Sequence, residues 1–421
     1  MSGDAEAWLA EHEGDLCSFL GEIVRIPTVN PPGDHYTALV ERLEAKLREI
    51  GLATEILTVP REIAAQSLPP ASAGFPRHNL VGRWEVGGRK TVQFNSHYDV
   101  VPAAGTWKHG PFSGERDGDW LFGRGTADMK GSMVASLFAV EALRRTGTTP
   151  RVNVELAFVA DEEIGGELGT GYLLSRRKPT PDFAVVCEGG AAGKIGIGHN
   201  GIVQLEVTVL GKGGHSAYPS RTVNAFEGMI ALVSRLRPEI ELTLADSRRH
   251  FAAPSGDTLE PVVNLGGVFG PGPAAKVNII PGEASFTIDR RLTPAERLLS
   301  VERELRRMVR SAAAECRVKM RIRTLQTTAP CALSPRAPLP RAFRKAVEAV
   351  RGGHARFTVN RGATDMRYYA RKRGIDAIGY GIDGKDIHAI EERIPVKELV
   401  ITARVYARFL RDFDPGSRDG R

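Results

Sequence analysis

The sequence predicts an α/β protein: a mostly parallel, doubly wound domain interrupted by an inserted ferredoxin-like α+β domain. Three observations predict it. Between residues 79 and 187, short apolar runs alternate with helical periodicity, the pattern of a parallel sheet covered by helices on both faces. From 202 to 325 the order becomes β-α-β-β-α-β, the ferredoxin-like arrangement. After 338 the first pattern resumes, so one domain is split by another. The expected limits are 1–199 and 328–421 for the doubly wound domain and 200–327 for the insertion.

The elements follow in order. Trp8, Leu9, Leu16, Phe19, Leu20 and Ile23 recur at three- and four-residue steps, as on a helix, and a second helical run covers 36–50. Proline-rich residues 27–32 separate the two. A loop rich in Pro, Ala and Ser at 66–76 leads to strands at 79–84 and 91–95. Good helix formers such as Met133, Ala135 and Leu137 predict a helix over 131–143. Residues 152–160 read as a buried strand, 169–177 as a helix and 183–187 as a strand. In 202–210, Val203, Leu205, Val207 and Val209 alternate, as on a strand with one covered face. A helix at 224–236, strands at 261–268 and 284–291, a helix at 294–314 opened by Pro294, and a strand at 318–325 complete the insertion. Beyond it come helices at 338–350 and around 365–372, a strand at 377–380 and a helix at 397–412. The polar tail from 414 is expected to fray.

Composition excludes several classes. With 42% hydrophobic and 25% charged residues, the 421-residue chain is not a disordered one. No stretch approaches the roughly 20 apolar residues of a membrane span, so no membrane partner is expected. The first residues are acidic where a signal peptide is basic. Cys17, Cys187, Cys316 and Cys331 lack metal or redox spacing, which fits free thiols in a reducing cytoplasm. Lys+Arg 57 against Asp+Glu 50 leaves a charge of +7. The excess is dispersed, and its densest run is Arg371-Lys372-Arg373. It suits a solvated face, or a mild attraction for a small anionic substrate, and no nucleic-acid partner is expected.

Five positions carry acids or histidines just beyond apolar strands. In Ser96-His97-Tyr98-Asp99, residues two apart share a face, which suits an imidazole metal ligand oriented by a carboxylate; a solvated turn is the alternative. In Gly123-Arg-Gly-Thr-Ala-Asp128-Met-Lys-Gly131, glycines flank an acid before a helix; helix capping or a phosphate loop are alternatives, though no nucleotide fingerprint matches. Asp161-Glu162-Glu163 ends a buried strand, where three acids are costly without a cation. Glu188 ends another strand, and Lys385-Asp-Ile-His388-Ala-Ile-Glu-Glu392 follows the last one. Each is weak alone. Together they share the address at which open α/β sheets bind ligands, beyond the carboxyl ends of their strands. Two imidazoles and three carboxylates are what two zinc-like ions with a bridging carboxylate require.

These motifs, with Gly214-His215-Ser-Ala-Tyr-Pro, occur in an order that resembles the dinuclear zinc metallohydrolases that include acetylornithine deacetylase, succinyl-diaminopimelate desuccinylase, aminoacylase and glutamate carboxypeptidase. The resemblance runs from about Glu22 to Phe409. It implies two divalent ions, zinc with cobalt able to substitute. His97 and Glu188 would hold one, Glu163 and His388 the other, and Asp128 would bridge. Asp99 would orient His97, and Glu162 would be the general base. His215 would supply an oxyanion contact, often across a dimer formed through the inserted domain. Asn278 and Arg291 would hold a substrate carboxylate, and the stretch Gly362-Ala-Thr364-Asp365 resembles a further substrate loop.

The implied reaction is hydrolysis of the amide of an N-acyl amino acid, with a small anionic N-acyl amino acid or short peptide as substrate. A carboxypeptidase or dipeptidase on the same machinery is the nearest alternative, and Glu rather than Asp at 188 leans away from an aminopeptidase. A catalytically inactive binding protein would show a lost ligand or a lost Glu162, and none is lost. His215 also reads as a turn residue, and Arg291 as a surface ion pair, with Arg290 beside it leaving open which arginine faces substrate. Gly381-Ile-Asp-Gly384 and Ala363 depart from the residues relatives carry near the substrate. His109, His199, His250 and His354 have no acid at comparable spacing and read as surface or core fillers.

Overall fold

In the computed structural model, residues 4–189, 192–272, 276–370 and 374–416 are described. The run Arg371-Lys372-Arg373 and the end of the tail lie outside them. The chain divides into two compact units. One comprises Met1–Ile197, Leu333–Thr358 and Thr364–Arg421, the other Gly198–Ala332 and Val359–Ala363.

The first unit is built on a mixed nine-stranded sheet. Its strands in chain order are β1 (Ala53–Thr58), β2 (His78–Trp84), β3 (Thr91–His97), β4 (Asn153–Val159), β5 (Phe183–Val186), β6 (Lys194–His199), β7 (Cys331–Ala332), β8 (Arg356–Asn360) and β9 (Asp376–Gly379). The spatial order is β1-β2-β4-β3-β5-β9-β6-β7, with β8 also on β6. Its centre, β4-β3-β5-β9, is parallel, and antiparallel strands flank it on both sides. The central strands are apolar and largely covered, as parallel strands between two helical layers must be. Helix Gly131–Arg145 is buried from Gly131 to Leu143. It packs beside the amphipathic helix Val396–Asp412, whose Tyr406 and Phe409 rings meet Phe94 edge-on.

Several elements differ from the sequence-based expectation. Strand β3 continues through His97 because Ser96 and His97 keep pairing with Phe158 and Val159. The loop expected at 66–76 contains the short helix Pro70–Ala73, opened by its proline. Strands β1, β6 and β8 are not among the expected elements: β1 is mostly exposed, and β6 and β8 each bury two apolar side chains, Ile195 and Ile197, Phe357 and Val359. The helix expected around 365–372 is Met366–Ala370 within the described residues.

The second unit is a four-stranded antiparallel sheet in the order Val262–Pro271, Glu283–Leu292, Gly201–Leu210, Lys319–Thr328. Two helices, Ala225–Leu244 and Leu298–Glu315, cover one face and close a core around Leu205, Val207, Phe286, Leu232 and Val309. The order of strands is that of a ferredoxin-like domain. Asn224 caps the first helix through Phe226 N–H, and the helix runs past Pro238. The second begins at Leu298, not 294, because Glu296 folds back to accept the N–H of Thr293 at 3.1 Å.

Candidate active site

The parallel centre of the sheet sets the site. His97 ends β3; Glu162 and Glu163 follow β4, Glu188 follows β5 and His388 lies beyond β9. These strands are spatial neighbours, so acids and imidazoles distant in sequence share one edge. Asp128 comes from the turn before helix Gly131–Arg145. That turn passes through Gly125 at φ +86°, where a Cβ would lie 2.5 Å from Val100 Cγ1.

Asp128 stands between two imidazoles. Its Oδ1 lies 3.1 Å from His97 Nε2 and its Oδ2 lies 3.2 Å from His388 Nε2. His388 Nε2 is also 3.1 Å from Glu163 Oε1. One potential ligand atom each from His97, Asp128 and Glu163, and likewise from His97, Glu162 and Glu188, lie within 4.8 Å of one another. The structure thus brings together all five residues expected to bind metal.

The electrostatics of the cluster fit cations. Burial, then Asp365, pushes the Glu162 carboxyl up to about 8. Burial raises Glu163, and burial with Glu162 and Asp128 raises Glu188 well above the ordinary carboxylate range. For Asp128 burial opposes ionisation, but hydrogen bonds with His388 and His97 prevail and hold it low. The same contacts, from Asp128 first and then Glu163, lift His388 to about 10. Glu188 Oε2 is buried without a hydrogen-bond partner. Crowded acids, an orphaned carboxylate oxygen and two imidazoles on one bridging acid form an N/O donor set suited to divalent ions.

Asp99 serves the site in more than one way. His97 Nδ1 is 3.0 Å from the Asp99 main-chain oxygen and 3.5 Å from its Oδ1. The carboxylate accepts the N–H of Glu162 at 3.1 Å and of Glu163 at 3.2 Å. Asn30 Nδ2 joins it to Asp161, which is paired with the fully buried Arg77 at 2.9 Å. Thr364 is buried, and its hydroxyl accepts the Met366 N–H at 3.3 Å.

The remaining predicted residues lie in the inserted unit. His215 is exposed on a short strand opposite Ile279, and Ser216 N–H donates to the Asn278 oxygen at 3.1 Å, so His215 and Asn278 are neighbours. His215 Nδ1 accepts the Ala217 N–H at 3.1 Å, which leaves Nε2 as the donor of the neutral ring. Arg290 is buried on the helix-covered face with Glu296, whereas Arg291 lies on the opposite face, paired with Asp289 at 2.8 Å.

Three groups escaped the sequence reading. Arg367 Nη2 lies 3.5 Å from Glu162 Oε1, and its only signal is the position two residues beyond Asp365. Glu392, quoted with His388 but given no role, is fully buried and accepts the N–H of Asp128 at 3.1 Å. His109, expected to fill space without an acidic partner, lies between Glu391 and Asp117. Glu391 is 282 positions away, beyond the reach of local spacing.

The sequence model for peptidase family M20/M25/M40 matches residues 93–412. This chain belongs to peptidase family M20/M25/M40. It is a metal-dependent hydrolase of the dinuclear metallohydrolase type. The M20/M25/M40 chain is 30% identical to a succinyl-diaminopimelate desuccinylase of Paracoccus denitrificans over 361 residues, 81% of this chain and 90% of the relative. It is 30% identical to a second one, from Methylobacterium radiotolerans, over 406 residues, 94% and 96% of the two chains. Among solved structures, an M20 metallo-carboxypeptidase from Sulfolobus solfataricus superposes with TM-score 0.75 at 19% identity, covering 94% of this chain and 99% of the other. Human carnosine dipeptidase 1 gives 0.69 at 19%, covering 97% and 98%. These structures share the fold of this family member, a catalytic domain with an inserted domain. Among its described residues no helix is long and apolar enough to cross a membrane.

Proposed function

We propose that this chain hydrolyses the amide bond of N-acyl amino acids, as a deacylase of the desuccinylase or deacetylase kind. The observation that carries the reading is Asp128, whose two oxygens each face one imidazole, with Glu163 beside His388 and Glu188 within ligand distance of His97. His97, Glu188 and Asp128 would hold one divalent ion and His388, Glu163 and Asp128 a second, with zinc the expected metal and cobalt able to replace it. When bound, such a pair supplies Lewis acidity that makes water a nucleophile near neutral pH and polarises the scissile carbonyl. Glu162 takes the proton of the attacking water and delivers it to the leaving amine. Burial raises the Glu162 carboxyl, while bound cations would favour its ionised form, the form that accepts a proton. Asp99 fixes the ring of His97 and, through the two amides it accepts, the turn that aims Glu162. His215 offers its Nε2–H to the developing oxyanion. Arg291 and Asn278 bind the substrate carboxylate, Arg291 being the arginine off the helix-covered face. Thr364, next to Asp365 in the chain, would contact substrate from that loop.

A homodimer through the inserted unit accompanies this reading. Val262, Val268 and Phe269 on the edge strand and Phe226 and Ile230 on the first helix are exposed apolar side chains. Four free thiols fit a cytoplasmic setting. The desuccinylase relatives favour a deacylase over a dipeptidase. The test is a panel of acetyl, succinyl and formyl amino acids and dipeptides, incubated with zinc- or cobalt-loaded protein and scored by amine release. Cleavage of dipeptides alone would turn the assignment to a peptidase, and no cleavage of any member by metal-loaded protein would favour a binding role.

A further inference from the structure

His388 sits on a loop whose own backbone holds it at the neck and through one inner bond, from Ala389 N–H to the Asp386 oxygen at 2.9 Å. Residues 385–393 close at the neck, where Lys385 and Arg393 exchange main-chain hydrogen bonds of 2.9 and 3.2 Å. Inside, Asp386, His388 and Glu391 all have left-handed φ near +56° to +60°. Three non-glycine residues in that region within one short loop need external contacts to persist.

Two adjacent glutamates supply those contacts, and one segment receives both. Glu391 Oε1 accepts the N–H of Lys108 at 2.6 Å and of His109 at 3.4 Å, and its Oε2 lies 2.5 Å from His109 Nδ1. The His109 ring stacks on Phe122 with centroids 3.8 Å apart, and its Nε2 lies 3.2 Å from Asp117 Oδ2. Glu392 turns the other way. It accepts the N–H of Ala127 at 2.9 Å and of Asp128 at 3.1 Å, and pairs with Arg124 Nη1 at 2.6 Å. The Arg124 guanidinium lies over the Trp107 ring at 5.4 Å. Trp107 and His109 therefore reach Glu392 and Glu391 respectively, one through Arg124 and one directly.

We propose that the Trp107–His109 segment is a positioning clasp for His388: by gripping Glu391 directly and Glu392 through Arg124, it holds the His388 loop at a fixed distance from Asp128. None of its side chains touches the two imidazoles or the bridging acid, so it acts on geometry alone. The clasp rests on the reading of the site as dinuclear in one respect: its effect should fall on the ion held by His388 and Glu163 and spare the one held by His97 and Glu188. Outer contacts of this kind typically change metal affinity by about 10–100-fold.

The test compares the wild type with His109→Phe, which keeps a ring on Phe122 but loses the two side-chain contacts with Glu391 and Asp117, and with His109→Gln, which restores a side-chain donor for Glu391. Metal-stripped protein is titrated with Zn²⁺ by calorimetry, and amide hydrogen exchange of residues 385–393 is followed without metal. The clasp predicts faster exchange of that loop in His109→Phe. It also predicts one zinc equivalent weakened by about 10–100-fold and the other unchanged, with both effects largely reversed in His109→Gln. Unchanged loop exchange, or equal weakening of both equivalents, would overturn it. A wild type that binds fewer than two ions would instead defeat the dinuclear reading, and the exchange data would still decide the clasp.

Discussion

Arg367 places its Nη2 3.5 Å from Glu162 Oε1 and 3.6 Å from Asp365 Oδ1, one cation between a half-buried and a buried carboxylate. The same nitrogen donates to the Gly165 carbonyl at 2.7 Å, so the guanidinium also fastens the turn that carries Glu162 and Glu163. Gly166 makes room for this arrangement: at φ +68°, a Cβ there would lie 2.5 Å from Asp365 Oδ1. Replacing Arg367 by Met should lower kcat by about 10–100-fold with little change in KM, because in the proposed reaction the lost interaction aims Glu162 and does not bind substrate. Stability should fall by about 3–5 kcal/mol as the carboxylates lose their partner. Steady-state kinetics with a thermal melt would show both, and a change confined to KM would contradict the assignment.

In the proposed reaction Glu162 carries the proton and holds no ion, although its carboxylate lies within ligand distance of His97 and Glu188. Glu162→Gln should therefore reduce turnover by about 10²–10⁴-fold while the number of zinc ions bound per chain stays the same. Metal analysis beside a kinetic assay separates the two quantities. Loss of an ion with the activity would make Glu162 a ligand.

The pH dependence of metal stabilisation has a definite sign. Burial, then Asp365, pushes Glu162 up to about 8, and burial raises Glu163, Glu188 and Asp365. A carboxyl raised by folding stabilises the folded chain while protonated, and that contribution is lost as pH climbs from its ordinary 4.5 through about 8. Divalent ions favour the ionised forms and displace protons from His97 and His388. The rise in melting temperature on adding zinc should thus be larger at pH 8 than at pH 5. Equal shifts at both would mean that the ions bind elsewhere.

Arg77 is fully buried, bound to Asp161 and to the main-chain oxygens of Pro32, Ser72 and Phe75. Arg77→Met leaves Asp161 without its cation inside the protein and should cost about 3–5 kcal/mol. Urea unfolding would register this as a lower midpoint at unchanged slope.

In the inserted unit, Phe269 is exposed on the edge strand. If that strand forms the homodimer, Phe269→Glu should convert a dimer to a monomer in light scattering and leave the fold intact by circular dichroism. A mass that does not change would place any interface elsewhere.

By itself the sequence determined the chemistry-bearing residues and the layered plan. His97, Asp128, Glu162, Glu163, Glu188 and His388 each follow or precede a strongly patterned element, so their neighbourhood is written locally. The paired β-α-β-β-α-β insertion was legible for the same reason: its strands alternate and its helices have one apolar face. Strands β1, β6 and β8 were not, because β1 is mostly exposed and β6 and β8 each offer two alternating apolar residues, too short a pattern to stand out without their sheet partners. Which of two adjacent arginines leaves the helix-covered face was decided by the pleat register of Glu283–Leu292 against its neighbours. Only the tertiary structure decided that Arg77 answers Asp161, that Arg367 answers Glu162, and that His109 answers Glu391. Those contacts join residues far apart in the chain, and charge pairing across a fold has no period for a sequence to display.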